Sequence, residues 1–272
     1  MSTLYGRTWH MILGSLEIRN LDVQFTATRN LKPEANVCSI SVWNLNKSNR
    51  KSIEAQTSKD GVPVQLFAGY EDPGASMIFS GVLRQARSVR DGADIITTVE
   101  SGDGTNKSNK VVAFSLAKGS TPEQAIRKIA EAMGVGTGNL GDLTAGRQFP
   151  SGNKTGHVGF FGGASAELTR VCRSVGLDWS IQNGNLQLLQ LTRALEGQAI
   201  ELTPETGLID SPAVDNEGKL SAQALIIPGL DPGRVVVIEG ENVKGNFRVE
   251  SVTYAGETAG PAWYASIEGK AY

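Results

Sequence analysis

The chain has 272 residues, with 26 basic and 28 acidic side chains and a formal net charge of −2 at pH 7. This charge argues against a nucleic-acid-binding protein, since such domains usually carry a strongly basic surface. No apolar run approaches the roughly 18 residues of a membrane span, and the N-terminus lacks the apolar core of a secretory signal. We therefore expect a protein that is made in the cytoplasm and has no membrane span.

The first third of the chain predicts a small β-barrel around one helix. Strands are predicted at residues 8–13, 23–28 and 37–43. In the third strand Cys38, Ile40 and Val42 alternate with outward residues, so these three side chains are expected to face a core. Asn46 is a favourable N-cap for a short helix at 47–56. With the strands that follow, about six strands surround this helix, enough for a closed or nearly closed barrel.

Residues 62–103 predict three consecutive antiparallel strands. The strands are expected at 64–68, 78–89 and 93–100. A loop through Pro73 and Gly74 joins the first two strands, and a turn at Asp91 and Gly92 joins the last two. Connections this short indicate an antiparallel meander. The polar, glycine-rich stretch at 101–109 is interpreted as a linker.

Beyond this linker the apolar period changes to that of a helix. Thr121 is expected to be the N-cap, with Pro122 in the first turn and Gln124 completing a capping box. Gly134 is expected to end this helix. A glycine-rich loop is predicted to run from there to Gly163.

A second helix and a hairpin complete the predicted middle segment. The helix is expected at 165–175, where apolar residues recur at helical spacing. Asn183 and Gly184 lie between two apolar runs, which is the strongest short signal for a β-hairpin. The sequence therefore predicts a small α+β module at 106–195.

The last part of the chain returns to strands and repeats the earlier meander. Strands are predicted at 199–202, 220–227, 235–238, 247–254 and 262–267. In both meanders a first strand ends in glycine, Gly69 or Gly240, and leads into a long strand and a return strand. Convergence is the alternative, since any two β-meanders share this rhythm, but internal repetition is the preferred interpretation. We expect 62–103 and 234–272 to be equivalent meanders in two separate barrels.

The predicted fold class is thus mainly β with a small α+β insert. Two similar small β-barrel domains, at 1–105 and 196–272, flank a helix-plus-hairpin module at 106–195.

Residues that could carry chemistry are few. His10 and His157 have no nucleophile at a recognisable spacing, and no Cys/His spacing suits zinc. Gly136, Gly138 and Gly141 match the dinucleotide-binding glycine pattern, but they follow a helix rather than a strand, so we interpret the match as chance. No catalytic residue, metal site or cofactor is predicted.

The cysteines and three carboxylates receive ordinary structural interpretations. Cys38 and Cys172 lie in apolar patterns and are expected to be buried free thiols. Glu100, Asp103 and Glu268 lie at strand ends or turns, where solvated or capping carboxylates are common. A glycosidase pair among them stays an open alternative, because separation in space is not readable from sequence.

Three groups of motifs, in order along nearly the whole chain, resemble phage tail baseplate hub proteins. This group is similar to the hub of contractile-tailed phages and to the hub part of secretion-system spike proteins. The motifs are LKPEAN at 31–36, VWNL at 42–45, FAGY at 67–70 and FSG at 79–81; FGG at 161–163 and LDWSIQNG at 177–184; and LTPETGLI at 202–209, LDPG at 230–233 and GNFRV at 245–249.

The resemblance implies a homotrimer in which two barrel domains per chain give six around a channel. Such a ring would join a hexameric tail tube or distal tail protein to a trimeric spike or puncturing protein, beside wedge or other baseplate proteins. DNA would pass through the channel without specific binding. The expected location is the virion tail baseplate, after synthesis in the host bacterial cytoplasm. Any spike or cell-wall hydrolase is expected to be a separate chain.

Two other functions compete with a structural hub. A peptidoglycan hydrolase is disfavoured by the lack of a catalytic constellation. A peptidoglycan- or carbohydrate-binding tail module is the main alternative, with the middle module as the binding unit. Because DNA must slide through a tail channel, we expect the channel wall to be neutral or acidic.

Overall fold

The computed structural model describes residues 6–32, 35–56, 61–103, 110–149, 157–190, 194–195 and 197–272. These residues belong to two compact units. The first unit combines Met1–Asn30, Asn36–Asp103 and Glu196–Tyr272, and the second combines Leu31–Ala35 and Gly104–Leu195. Two predicted features lie partly outside the described residues. They are the linker, at positions 104–109, and the LKPEAN motif, at Pro33 and Glu34.

Strands dominate the chain. They are β1 (Arg7–Leu13), β2 (Leu16–Arg19), β3 (Val23–Asn30), β4 (Asn36–Trp43), β5 (Pro63–Tyr70), β6 (Gly74–Asp91), β7 (Asp94–Asp103), β8 (Val111–Leu116), β9 (Val158–Gly163), β10 (Leu177–Gln182), β11 (Asn185–Gln190), β12 (Ile200–Leu202), β13 (Ala213–Val214), β14 (Lys219–Ala224), β15 (Val235–Glu239), β16 (Lys244–Glu257) and β17 (Trp263–Ala271). The described helices are α1 (Lys47–Glu54), α2 (Pro122–Met133), α3 (Leu140–Thr144) and α4 (Ala164–Ser174). The prediction of a mainly β protein with small helical inserts is confirmed.

The first unit is built on one 13-stranded sheet. Its main path runs β13-β14-β17-β16-β3-β4-β7-β6-β5-β1-β2, and β15 adds to β16 and carries β12 on its other edge. Every pair is antiparallel except β12 with β15. Helix α1 begins at the predicted N-cap, where the backbone N–H of Asn49 donates to Asn46 Oδ1 over 2.8 Å.

The prediction of two separate barrels is wrong, because the two meanders lie in one sheet. Strand β3 pairs with β4 on one edge, and on the other edge it pairs with the second half of β16, from Ser251 opposite Asn30 to Glu257 opposite Gln24. The β3–β4 hairpin therefore joins the meander β5-β6-β7 to the meander β15-β16-β17. Strand patterns specify which face of a strand is buried, but they do not specify which strand lies beside it.

Within each meander the strand order is the predicted one, and both carry a β-bulge at a corresponding place. The pairing of β6 with β7 shifts register between Leu83 and Gln85, and the pairing of β16 with β17 shifts between Val249 and Ser251. Each central strand thus holds one extra residue opposite its return strand. A bulge sharpens strand twist and bends the sheet locally.

One hydrophobic core serves both halves of the sheet. The predicted inward residues of β4 are buried, as is most of the inner face of β16 and β17. Trp263 of the second meander donates from Nε1 to the carbonyl oxygen of Gly69 in the first meander, over 3.0 Å. Its ring also meets the edge of Phe25, with 5.5 Å between centroids. These contacts tie the two meanders into one packing unit.

The second unit has its own core between α2, α4 and the hairpin β10–β11. Helix α2 has the predicted capping box, in which Gln124 N donates to Thr121 Oγ1 and Thr121 N donates to Gln124 Oε1. Trp179 is fully buried and donates from Nε1 to Thr169 Oγ1 over 2.9 Å. The predicted glycine-rich loop is wrong in part, since it contains α3 and β9, and β9 pairs with β8. The predicted linker is also shorter, because Ser101–Asp103 belong to β7.

Candidate assembly surfaces

The outer face of the main sheet is rich in hydroxyl groups. Strand alternation turns Val23 and Phe25 of β3 and Cys38, Ile40 and Val42 of β4 to the core, and it leaves the residues between them outside. The pairing register of the strands then aligns these outward residues in rows across the sheet. We call the surface that they form the polar face. It includes Gln24, Thr26, Thr28, Ser39, Ser41, Thr98, Glu100, Ser251, Thr253, Ser266 and Glu268.

Hydroxyl pairs link adjacent strands across the polar face. Thr28 Oγ1 and Thr253 Oγ1 are 3.1 Å apart, and Ser41 Oγ and Thr98 Oγ1 are 3.0 Å apart. The first pair joins β3 to β16, at the junction between the two meanders. Charged residues on this face include Asp91, Asp94, Glu100, Glu257 and Glu268 against Arg87, Lys219, Arg248 and Lys270. Lys219, Lys270 and Arg248 lie in one row, where Glu268 pairs with Lys219 and Glu250 pairs with Arg248. The surface is therefore close to neutral, with its carboxylates slightly in excess.

A buried ion pair fixes the loop that closes the core beside β3. The guanidinium of Arg29 is only 4% exposed and donates to the carboxylate of Asp231, which is 43% exposed. In the same loop the carbonyl oxygen of Leu230 accepts a 2.6 Å hydrogen bond from the Tyr254 hydroxyl. Burial raises the pKa of Tyr254 above its usual range. This tyrosine therefore stays a neutral donor.

The second unit exposes one small apolar surface on the ribbon β8–β9. Phe161 is 70% exposed and Val111 is 76% exposed, on the same side of the ribbon. The neighbouring Phe160 ring faces inward, stacks on Phe114 at 4.7 Å, and lies 5.1 Å from the Arg170 guanidinium. Surface apolar residues of this size are common, and nothing in the described residues shows what would cover them.

The residues considered for chemistry have structural surroundings. His10 stacks on Phe67 at 4.3 Å in the pair β1–β5, while His157 is exposed. Gly136 and Gly138 lie beside the β10–β11 hairpin. The Gly136 N–H donates to Gly184 O, and a Cβ would lie 2.0 Å from Asn185 Oδ1 at Gly136 and 2.0 Å from Leu186 O at Gly138. This close approach of the hairpin explains the glycines at these two positions, whereas a Cβ on Gly141 would meet nothing within 4 Å.

Strand spacing excludes a glycosidase pair between Glu100 and Glu268. Strands β7 and β17 are separated by β4, β3 and β16. At about 4.8 Å per strand, their carboxylates are on the order of 19 Å apart along the sheet, against at most about 9.5 Å in glycosidases. Asp103 is buried and faces the other side of β7 from Glu100. Glu268 instead lies 3.0 Å from Lys219 Nζ.

Across the described ranges, no group of three or more His, Cys, Asp or Glu side chains is arranged to hold a metal ion.

Both cysteines are free and buried, as predicted. Burial raises the pKa of Cys172 to about 12 and also raises that of Cys38. Since the thiolate is the reactive form, both thiols should resist disulfide reagents in the folded protein.

We expect neither thiol to react with Ellman's reagent at pH 8 within minutes in the folded protein. Both thiols should react once the chain is unfolded in about 6 M guanidinium. Folded-state pKa values above the unfolded value of about 8.5 also mean that stability is intact below pH 8.5 and falls as pH rises beyond it. Fast native labelling of either position would contradict its burial.

Comparisons with known proteins agree with this architecture. Residues 11–268 match the family described as Baseplate hub gp41. No curated protein matches the sequence. Among solved structures, the chain resembles the 43 kDa tail protein of prophage MuSo2 from Shewanella oneidensis, with a TM-score of 0.67, 12% identity, and coverage of 97% of this chain and 96% of that chain.

Two further structures show the same likeness. The tail protein from Neisseria meningitidis MC58 has a TM-score of 0.67 and 12% identity, over 98% of this chain and 97% of that one. The E. coli c3393 protein has a TM-score of 0.57 and 10% identity, over 96% and 76%. That protein is described as a type VI secretion component with structural similarity to T4 bacteriophage tail proteins gp27 and gp5. At such identities the likeness shows a shared fold.

The family match defines the class of the chain, a structural protein of the phage tail. The family match spans nearly the whole chain, and the chain belongs to the Baseplate hub gp41 family. It is a viral tail baseplate hub component with a structural role, which confirms the resemblance found in the sequence. Among the described residues, no helix is long and apolar enough to cross a membrane.

Proposed function

We propose that this chain forms a homotrimeric ring that joins the hexameric tail tube to the trimeric spike and lets DNA pass. The polar face carries this proposal, because it is a broad, continuous, hydroxyl-rich surface on a protein of the baseplate hub family. We place this face on the channel wall. A neutral to acidic wall lets the DNA backbone slide, whereas clustered Lys and Arg would bind phosphates and hold it.

The pseudo-six-fold character of the ring rests on the two meanders. They are not separate barrels, but they share strand order and a bulge in the central strand. Three copies would present six such meanders to a six-fold tube while keeping three-fold symmetry toward a spike. We infer that 1–105 and 196–272 supply these meanders and that 106–195 is a separate middle domain.

The proposed partners are the tail tube or distal tail protein on one side, the spike or puncturing protein on the other, and wedge or other baseplate proteins around the ring. The chain would be made in the host bacterial cytoplasm and act in the virion. Mixing purified hub with tube and spike proteins of the same particle should give a complex visible by electron microscopy, with hub between the two. Failure to bind either neighbour would refute the bridging role.

We expect the purified protein to leave peptidoglycan intact. His10 is stacked on Phe67, His157 is exposed, and Glu100 and Glu268 are too far apart to act together. Release of soluble muropeptides would be measured against a lysozyme standard. Cleavage that a single Asp or Glu substitution abolishes would show that the protein is an enzyme.

A peptidoglycan- or carbohydrate-binding role is the alternative, and Phe161 is the side chain that favours it, since an exposed ring can stack on a sugar. The tryptophans do not add to such a platform: Trp9, Trp179 and Trp263 are buried, and Trp43 is half-buried. Binding to peptidoglycan that Phe161→Ala abolishes would favour this function over the ring.

A further inference from the structure

The guanidinium of Arg7 binds the turn that joins strands β16 and β17. Its Nη1 donates to the carbonyl oxygens of Glu257 and Gly260, over 2.7 Å and 2.5 Å. Its Nη2 donates to the carbonyl oxygen of Pro261 over 3.3 Å. Arg7 and Glu257 are 250 residues apart in sequence. One side chain therefore joins the start of β1 to the turn before β17.

An aromatic ring and a carboxylate complete the surroundings of this guanidinium. The Arg7 Cζ atom lies 5.6 Å from the centre of the Trp263 ring. The Glu257 carboxylate folds back over Gly260, where a Cβ would lie 2.0 Å from Glu257 Oε2. A planar guanidinium can lie over an aromatic ring and still donate from several N–H groups in its own plane. The turn thus has the chemistry of a site for a guanidinium.

The same arginine stands at the start of β1. Arg7 lies opposite Tyr70 in the pairing of β1 with β5, and just before it the Glu71 N–H donates to Gly6 O over 2.9 Å. The end of a chain usually frays unless a specific contact ties it down. Strand β1 supplies three buried side chains to the core, so a contact that holds its first residue also protects that core.

We propose that the β16–β17 turn is a guanidinium-binding site and that Arg7 is its built-in ligand. We call the three hydrogen bonds from Arg7 to the turn the Arg7 clasp. Because the acceptors are three carbonyl oxygens, the site selects a fork of N–H groups and not positive charge alone. The hydrogen bond from Trp263 Nε1 to Gly69 O joins the same two regions, so the clasp and this bond should open together. All these contacts lie within one chain and do not depend on the proposed ring.

Arg7→Ala removes the ligand and leaves the site in place. Because hydrogen bonds to charged groups are stronger than neutral ones, we expect amide hydrogen exchange to become about tenfold faster in peptides covering 6–10 and 257–263. Peptides of α2 and α4 should keep their protection. Arg19→Ala is the matched control, since Arg19 is an exposed arginine of the neighbouring β2 that donates to Glu17, two residues away. It should leave both regions unchanged.

Chemical rescue tests the specificity of the site. Ethylguanidinium carries the two carbons and the guanidinium that Arg7→Ala removes, so millimolar concentrations should restore most of the lost protection in that variant. Ethylammonium at the same concentration has the positive charge without the planar fork, and it should restore little. Neither compound should slow exchange in the wild-type protein, whose site Arg7 fills.

Two results would overturn the Arg7 clasp. One is unchanged protection of 257–263 in Arg7→Ala. The other is rescue by ethylammonium that equals rescue by ethylguanidinium, since charge alone would then explain the contact. Arg7→Lys carries the same test if Arg7→Ala does not fold, because it keeps the charge and loses the fork. Protection of 257–263 in Arg7→Lys should fall below that of the wild type, and full protection would contradict a guanidinium site.

Discussion

Trp263→Ala is expected to lower the free energy of unfolding of the sheet unit by about 4 kcal/mol, as large-to-small substitutions of buried tryptophans do. The side chain is 4% exposed, and it contacts both meanders through Phe25 and the carbonyl of Gly69. Its removal leaves a cavity at the place where the two halves share their core. Both meanders should therefore loosen together.

Hydrogen exchange followed by mass spectrometry would localise this effect. Peptides from β5–β7 and from β15–β17 should lose protection by a similar factor, while peptides of α2 and α4 keep theirs. Tyr264→Ala is the matched control, because Tyr264 is the next residue of β17 and lies half-buried on the polar face. It should lower the free energy of unfolding far less. Loss of protection in β15–β17 alone would mean that the two meanders are separate domains after all.

Asp231→Ala is expected to cost about 2 kcal/mol, because it leaves the buried guanidinium of Arg29 without its carboxylate. A fully buried pair would cost more, but Asp231 is 43% exposed and water screens part of the interaction. Arginine cannot release its proton in a protein, so the buried positive charge persists at any working pH. Chemical denaturation of the variant would measure the change.

Two further substitutions help to explain the change in stability that Asp231→Ala produces. Asp231→Asn keeps a hydrogen-bond acceptor for Arg29 and should cost less than Asp231→Ala. Arg29→Met fills similar space without charge and should also be milder, since apolar replacement of a buried ion pair is often nearly neutral. An Asp231→Ala protein as stable as wild type would show that this pair does not hold the loop against β3.

Local structure was predictable where a single residue determines the backbone hydrogen bonds or the φ angle at its position. The N-caps Asn46 and Thr121 start helices because their side-chain oxygens accept from backbone N–H groups that the helix leaves open. The Asn183-Gly184 turn was predictable because both residues tolerate a positive φ, here 53° and 79°. These signals depend on a few adjacent residues, so they survive without knowledge of the fold.

Long-range pairing was not predictable in the same way. Strand β3 lies beside β16 although more than 200 residues separate them, and nothing in the alternation of either strand names its neighbour. Strand β9 was missed because its sequence, VGFFGG, has more glycine than strand preference tolerates. The short β2 and β13 carry too few residues to show a period.

The candidate surfaces, too, were predictable from the sequence only as far as local strand alternation shows them. The outward residues of β4 were visible as alternation, but only the pairing order joins them with the threonines of β3 into one polar face.

Native mass spectrometry of the purified protein, with and without its tube and spike neighbours, tests the central claim most directly. A homotrimeric hub predicts a particle of three times 28.9 kDa, alone or as the hub component of the complex. A monomer that stays monomeric at high concentration and beside both neighbours would contradict the account, as would a stoichiometry other than three hub chains per tube end.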